Sequence, residues 1–244
     1  MQKNKYLISL KHVTKKYGQD SNVVTALSDV NLDFLTGSFT AIMGPSGSGK
    51  STMLQCAAGL DQPTSGSILF DNTELTSLNE HQLTLLRRDQ VGFIFQSFNL
   101  LPSLSAQQNV ALPLRLAGIK PSRLETLQAL QNVGLAERSD HKPGELSGGQ
   151  QQRVAIARAL IAKPKVIFAD EPTGALDIAS GRDVLQLLKH IAQNGQTIIM
   201  VTHDPNAASY ADKVIFLADG KLAGELKNPK AHEVAKHLAE LEIK

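Results

Sequence analysis

The stretch Gly44-Pro45-Ser46-Gly47-Ser48-Gly49-Lys50-Ser51-Thr52 decides the fold. It fits the pattern G-x-x-x-x-G-K-[ST], with Gly44, Gly49, Lys50 and Ser51 in the defining places. Before it, Phe39-Thr40-Ala41-Ile42-Met43 reads as a buried strand, and after it Thr52 to Leu60 reads as a helix with Gly59 near its end. Strand, glycine loop and helix together make the pattern a phosphate cradle. The glycines let backbone N–H groups turn inward, and the helix N-terminus adds unpaired donors and the positive end of a dipole. Lys50 is expected to reach the β- and γ-phosphates of a nucleotide, and the Ser51 hydroxyl to hold Mg²⁺. A plain glycine-rich turn is the alternative, and the two flanks argue against it.

The 244 residues suffice for one large domain or two small ones with a sizeable core. Apolar residues at 42% and charged residues at 20% place the chain with globular proteins. A formal net charge of +2 gives no sign of nucleic-acid binding through bulk charge. The single cysteine, Cys56, excludes an intramolecular disulfide framework and reads as a small buried hydrophobe. No apolar core follows Met1-Gln2-Lys3-Asn4-Lys5, so a signal peptide is not expected. The greasiest region, Phe98 to Ile119, is broken by Pro102 and Pro113, and no run reaches the roughly 20 residues of a spanning helix. Work at a membrane is therefore expected from the aqueous side.

Outward from the glycine loop, residues 6–13 and 23–34 read as strands. In the second, Val30, Leu32 and Phe34 alternate with Asn31 and Asp33, which implies one solvated face. Ser67 to Phe70 reads as a short strand, Leu75 to Arg88 as a helix, and Val91 to Phe95 as a buried strand. The pattern from there to about Ala162 is helical, with Leu124, Leu127, Leu130 and Val133 at helical spacing. Val166 to Ala169 and Thr197 to Val201 are continuous apolar runs of the kind central parallel strands carry. Helices are expected over Ser180–Asn194 and Ala207–Tyr210. Val214–Ala218 and Lys221–Leu226 flank Asp219-Gly220, a hairpin signal. In the tail from Pro229 to Lys244, Val234, Leu238 and Leu241 line up to pack on the core.

Two further stretches carry chemistry. Asp170-Glu171 closes the strand 166–169, and a carboxylate there suits a Mg²⁺ site, so Asp170 is assigned to the metal. Glu171, one step later, is placed to take a proton from an attacking water as general base. In Leu146-Ser147-Gly148-Gly149-Gln150, Ser147 and Gln150 form a capping box that starts a helix. Two glycines in its first turn run against helix stability by about 1 kcal/mol each relative to alanine. Close approach to something explains them better, and a bare helix N-terminus with a serine hydroxyl suits a second anion site.

The glycine loop, Leu146–Gln150 with Gln151-Gln152-Arg153 after it, and Val166–Glu171, in that order, resemble the ATP-binding subunit of ABC transporters. The resemblance runs from about residue 7 to 226. It implies an α/β fold: a P-loop NTPase (RecA-like) core with an antiparallel β subdomain and an inserted α-helical subdomain. The expected division is 1–96 and 163–228 for the core, 97–162 for the helical subdomain, and 229–244 for a C-terminal helix. By resemblance, Tyr17 stacks on adenine, Gln96 senses Mg²⁺ and the membrane partner, Asp177 makes a dimer contact, and His203 touches the γ-phosphate. The loop before Asp177 reads Gly174-Ala175-Leu176, where many relatives begin with serine. This places a hydroxyl contact across the dimer in question.

The resemblance further implies two copies head to tail, with ATP between the cradle of one and Ser147, Gly148, Gly149 and Gln150 of the other. ATP and Mg²⁺ are the implied cofactors, and ATP hydrolysis the implied activity. A membrane permease is expected to dock near Gln96–Leu104, which holds this chain at the cytoplasmic face of the cell membrane. Phe98-Asn99-Leu100-Leu101-Pro102, Asn109 to Leu114 and Asp170 to Asp177 resemble the macrolide-export and lipoprotein-release group. Val201-Thr202-His203-Asp204-Pro205 and Ala207 to Asp212 resemble the antimicrobial-peptide-resistance branch. Export or extraction of a lipophilic or peptide substrate follows by analogy. The alternatives are a soluble ABC ATPase not tied to a membrane and a nucleotide-dependent regulator of a membrane protein.

Overall fold

A computed structural model describes residues 5–18 and 22–242. Residues 1–4, most of the expected loop at Gly18–Asn22, and the last two residues of the tail lie outside the described residues.

Two sheets carry the chain. The first is antiparallel, in the order β2-β1-β4-β5, built from β1 (Tyr6–Tyr17), β2 (Val24–Leu35), β4 (Ser65–Phe70) and β5 (Thr73–Glu74). The second has the order β10-β9-β3-β8-β7-β6. Its strands are β3 (Phe39–Met43), β6 (Val91–Phe95), β7 (Val166–Asp170), β8 (Thr197–Val201), β9 (Lys213–Ala218) and β10 (Lys221–Lys227). From β9 across to β6 every pairing is parallel, and only β10 runs antiparallel, through the Asp219-Gly220 turn. Both turn residues have positive φ, as the hairpin signal requires.

The apolar runs of β3, β7 and β8 serve two cores at once. Ala41 and Met43, Ile167 and Ala169, and Ile198 and Met200 face one core; Ile42, Phe168, Ile199 and Val201 face the other. Side chains alternate across a strand, so burial on both faces removes the apolar–polar alternation. The first core packs against α3 (Ala106–Leu116), α5 (Gly148–Leu160) and α6 (Ile178–Gln193). The second encloses α1 (Lys50–Ala57) between the parallel sheet and the antiparallel one. In β2 the expected alternation holds, with Val30, Leu32 and Phe34 buried.

The helical stretch reads as expected in type and differs in its bounds. Leu75–Ser77 is a short 3-10 turn, and the helix α2 (Glu80–Gln90) begins later, at a capping box between Asn79 and Gln82. That cap was legible in the sequence as N-x-x-Q. The apolar residues at helical spacing divide: α4 (Arg123–Gln131) buries Leu130, leaves Leu124 exposed, and ends before Val133. Asp204 caps α7 (Pro205–Ala208). In α8 (Ala231–Glu242), Val234 is buried and Leu238 and Leu241 pack beside it on the first core. Among the described residues no helix is long and apolar enough to cross a membrane.

Candidate active site

Four chain segments leave the carboxyl ends of neighbouring parallel strands: the glycine loop after β3, His203 after β8, Glu171 after β7 and Gln96 after β6. In open parallel sheets this edge is where ligands bind. Strand order thus collects residues that lie up to 159 positions apart in the chain, from Gly44 to His203.

The glycine loop has no room for side chains at its two ends. A Cβ on Gly44 would meet the Leu217 carbonyl at 2.0 Å, and one on Gly49 would meet the Ala26 carbonyl at 2.3 Å. Gly49 is also the cap of α1, with φ 98°, and it offers no side chain to that helix end. Every helix from α2 to α7 has a side chain accepting from its first turn; α1 has none, and no acidic residue in its first turn. Its unpaired N–H groups and dipole therefore face the loop, the condition for holding an anion. Ser48 Oγ is buried there without a hydrogen-bond partner among the described residues. Lys50 spans the loop, its ammonium donating to the carbonyls of Gly44 at 2.9 Å and Pro45 at 2.7 Å. These donors fit a polyphosphate.

The carboxylates stand beside this cradle. Burial pushes the Lys50 ammonium below its ordinary value, against the pull of Glu171 and Asp170. Burial, and next the charge of Glu171, push the Asp170 carboxyl up, and Lys50 opposes them. The shared charge interactions place all three groups within one field. β7 ends at Asp170, and Glu171 takes a left-handed backbone, φ 48°. Such a backbone is uncommon for a residue other than glycine and is found enriched at functional sites. The Glu171 N–H donates to the Val201 carbonyl at 2.9 Å, which anchors the turn to β8. The His203 Nδ1 lies 2.9 Å from Glu171 Oε1. Among the described residues no group of three or more His, Cys, Asp or Glu side chains is placed to hold a metal alone. Ser51 and Asp170 supply hard oxygens, a donor set that suits Mg²⁺ when phosphate and water complete the shell.

The capping box at α5 forms as read: Ser147 Oγ accepts from Gln150 N, and Gln150 Oε1 accepts from Ser147 N. Its glycines have partners inside this chain. A Cβ on Gly149 would meet Ser180 Cβ at 2.9 Å, and one on Gly148 would come 3.3 Å from Leu176. The close approach inferred from the sequence is thus at least in part to the start of α6. Asp177 is the cap of α6, accepting from Ser180 N, and its carboxyl lies below its ordinary value through those bonds to Ser180.

Tyr17 ends β1 and is two-fifths exposed. Its hydroxyl donates to Asp61 Oδ2 at 2.7 Å. Cys56 is buried on α1, and burial, with the charge of Asp61 next, pushes its thiol up to about 12, an unreactive state.

Three residues were given no role of their own by the sequence. Gln152 is fully buried, and its amide donates to the Pro172 carbonyl at 2.6 Å and the Phe95 carbonyl at 3.3 Å. It ties the strand end before Gln96 to the turn after Glu171. Arg158 donates to the carbonyls of Phe98 and Asn99, two consecutive residues with positive φ. Asn109, also fully buried, exchanges hydrogen bonds with Leu101 in both directions and donates to Leu104 and Ser105. A buried polar side chain needs such partners. In the segment Phe98–Leu104, Leu100 joins the first core while Leu101 stays exposed. A groove of about 440 Å³ opens beside it, walled by Phe93, Phe95, Leu112, Pro113 and Leu116, with Arg87, Arg88 and Arg158 among its lining.

A phosphate cradle, a carboxylate pair at the end of the next strand but one, and a helical insert between β6 and β7 define an ATP-binding cassette. The profile of the ABC transporter family matches residues 27–174, and this chain belongs to that family. Among its relatives, the ABC transporter ATP-binding protein MJ0796 of Methanocaldococcus jannaschii is 48% identical over 91% of this chain and 97% of that protein. The macrolide export ATP-binding/permease protein MacB of Marinobacter nauticus is 47% identical over 88% of this chain, a match spanning 34% of MacB. The solved dimer of MJ0796 in a post-hydrolysis state, bound to ADP and Pi, superposes with a TM-score of 0.81 at 45% identity, covering 91% of this chain and 99% of that one. Clostridium perfringens cbiO1, part of the transporter complex cbiONQ, superposes with a TM-score of 0.82 at 31% identity, covering 99% of this chain and 96% of that one.

Proposed function

We propose that this chain is the ATP-hydrolysing subunit of an ABC transporter, that two copies enclose two ATP molecules head to tail, and that their closing and opening drives a membrane permease. The observation that carries the reading is the uncapped N-terminus of α1 behind the glycine loop, on the same sheet edge as Asp170, Glu171 and His203.

Each residue then has a task. Backbone N–H groups of the loop Gly44 to Thr52, those of Ser46, Gly47 and Ser48 included, hold the phosphates, Pro45 shapes the loop without an N–H of its own, and Lys50 turns from its loop carbonyls to the β- and γ-oxygens. Ser51 and Asp170, with Gln96, hold Mg²⁺, which neutralises phosphate charge. Glu171 takes the proton of the attacking water, and His203 steadies that carboxylate or the γ-phosphate. Tyr17 offers its ring to the base. Ser147, Gly148, Gly149 and Gln150 reach the ATP held by the other copy, and Asp177 lies at the contact of the two. The dimeric state of the MJ0796 neighbour supports this pairing.

The apolar groove beside Asn99 receives a short helix of the permease, next to the expected segment Gln96–Leu104. Likeness to the macrolide export protein supports export or extraction of a lipophilic or peptide substrate, with this chain at the cytoplasmic face of the membrane.

The test is Glu171→Gln. The variant is expected to bind ATP, to hydrolyse it at least about 100-fold more slowly, and to accumulate as a dimer on a sizing column with ATP. Hydrolysis at the parent rate sinks the general-base assignment, and a monomer under saturating ATP sinks the paired-site reading.

A further inference from the structure

Tyr17, at the end of β1, and Asp61, just past α1, form a three-cornered arrangement with Lys15 that the phosphate chemistry leaves unexplained. The Tyr17 hydroxyl donates to one oxygen of Asp61 at 2.7 Å, and the Lys15 ammonium donates to the other at 2.5 Å. Lys15 also donates to the Gln62 carbonyl at 2.7 Å, and its nitrogen stands over the Tyr17 ring, 4.8 Å from the centroid. Lys15 and Tyr17 are two residues apart on one strand, so both point to the same side. We infer that Asp61 is a positioning residue for nucleotide-base recognition: with Lys15 it fixes the Tyr17 ring at a set place relative to the phosphate cradle. This rests on the reading of Tyr17 as the base platform.

The geometry supplies the reason. Asp61 is rigidly joined to α1, the helix whose other end forms the cradle. Gly59 N donates to Cys56 O at 3.0 Å and Leu60 N to Gln55 O at 2.8 Å, a closed left-handed cap, and Asp61 N donates to Gln55 O at 3.3 Å. The platform and the cradle are therefore set by the two ends of one eight-residue helix. The ammonium occupies one face of the ring, which leaves the opposite face for a base. A cation so placed attracts the ring electrostatically and holds its plane. Burial alone would raise the Asp61 carboxyl, but the hydrogen bonds from Lys15 and Tyr17 overcome it and hold it below its ordinary value. Burial and the bond to Asp61 raise the Tyr17 phenol, while the nearby Thr52 side chain, in the cradle itself, lowers it. A pre-set ring lowers the ordering cost of binding.

The distinguishing readout is the ratio of two affinities, because pyrophosphate has the phosphates and lacks the base. Calorimetry with ADP and with pyrophosphate, on the full chain, compares the parent with Tyr17→Ala, Tyr17→Phe, Asp61→Ala and the Tyr17→Phe/Asp61→Ala double variant. Tyr17→Ala is expected to weaken ADP at least about tenfold. Asp61→Ala and Tyr17→Phe are each expected to weaken ADP about three- to tenfold and pyrophosphate less than about twofold, with the double variant no weaker than either. If Asp61→Ala weakens both ligands alike or neither, or if the double variant is additive, the positioning role is overturned while the platform stands. If Tyr17→Ala leaves the ratio unchanged, the platform itself falls and Asp61 with it. Should Asp61→Ala not fold, Tyr17→Phe, which keeps the Lys15–Asp61 pair, decides the matter by the same ratio.

Discussion

The side chain of Gln96 lies over Gly174. A Cβ on the glycine would meet Gln96 Nε2 at 2.8 Å and Cδ at 3.1 Å. Gly174 is thus the floor under the glutamine. The loop after β7 and the loop after β6 touch through it.

Gly174→Ser tests that contact. The atoms in the way are the end of a flexible side chain, and Gly174 is not among the glycines of positive φ, so the fold is expected to survive with a melting temperature within about 2 °C of the parent. Gln96 is displaced, and the Mg²⁺ concentration for half-maximal ATPase activity shifts about twofold or more. An unchanged Mg²⁺ curve would show that the contact has no part in the reaction.

Lys50→Ala removes the charge that spans the glycine loop. Charge-assisted hydrogen bonds to phosphate are worth about 1.5–3 kcal/mol each, so ATP affinity is expected to fall tenfold or more, read by calorimetry. Unchanged affinity contradicts the cradle.

Mixing two inactive variants tests the shared site. Lys50→Ala spoils the cradle and Ser147→Arg spoils the facing helix. A mixed dimer of the two retains one intact composite site, and up to about a quarter of parental activity is expected from random pairing. No recovery in verified mixed dimers counts against the head-to-tail arrangement.

Gln152→Leu leaves the Phe95 and Pro172 carbonyls without their donor. The loss is expected to destabilise the fold by about 1–3 kcal/mol in a urea titration. A smaller change means that water replaces the amide, and the tie between the two loops is dispensable.

Asp61 also sets a pH dependence. Its folded carboxyl lies below the ordinary value, despite burial, because Lys15 and Tyr17 donate to it. Its contribution to stability is therefore complete above the unfolded-state pKa and is lost as the pH falls through the folded one. Asp61→Asn is expected to be less stable than the parent at neutral pH by up to about 1 kcal/mol, with the gap closing below about pH 4. A gap that persists at pH 2 assigns the effect to packing.

The class of this protein was legible in its sequence because the governing signals are local. Gly44 to Thr52 must be glycine-rich where carbonyls crowd it, Ser147 and Gln150 cap each other across three residues, and Val166 to Ala169 are apolar without break because both faces are covered. The start of α2 at Asn79 was equally local and was masked by the apolar Leu75 and Leu78 before it. Contacts between distant residues left no periodic trace. Gly149 against Ser180, Gln96 over Gly174, Gln152 between Phe95 and Pro172, and Asp61 under Tyr17 join positions from 20 to 78 apart, as the numbering of each pair shows. Side-chain periodicity records which face of an element is covered and not what covers it. The sequence alone therefore determined that the chain holds a nucleotide phosphate and has the parts of a cassette. Only the tertiary structure decided how the two loops meet at Gly174 and which acid braces the ring of Tyr17, because those pairings exist only after the sheet order has brought the strands together.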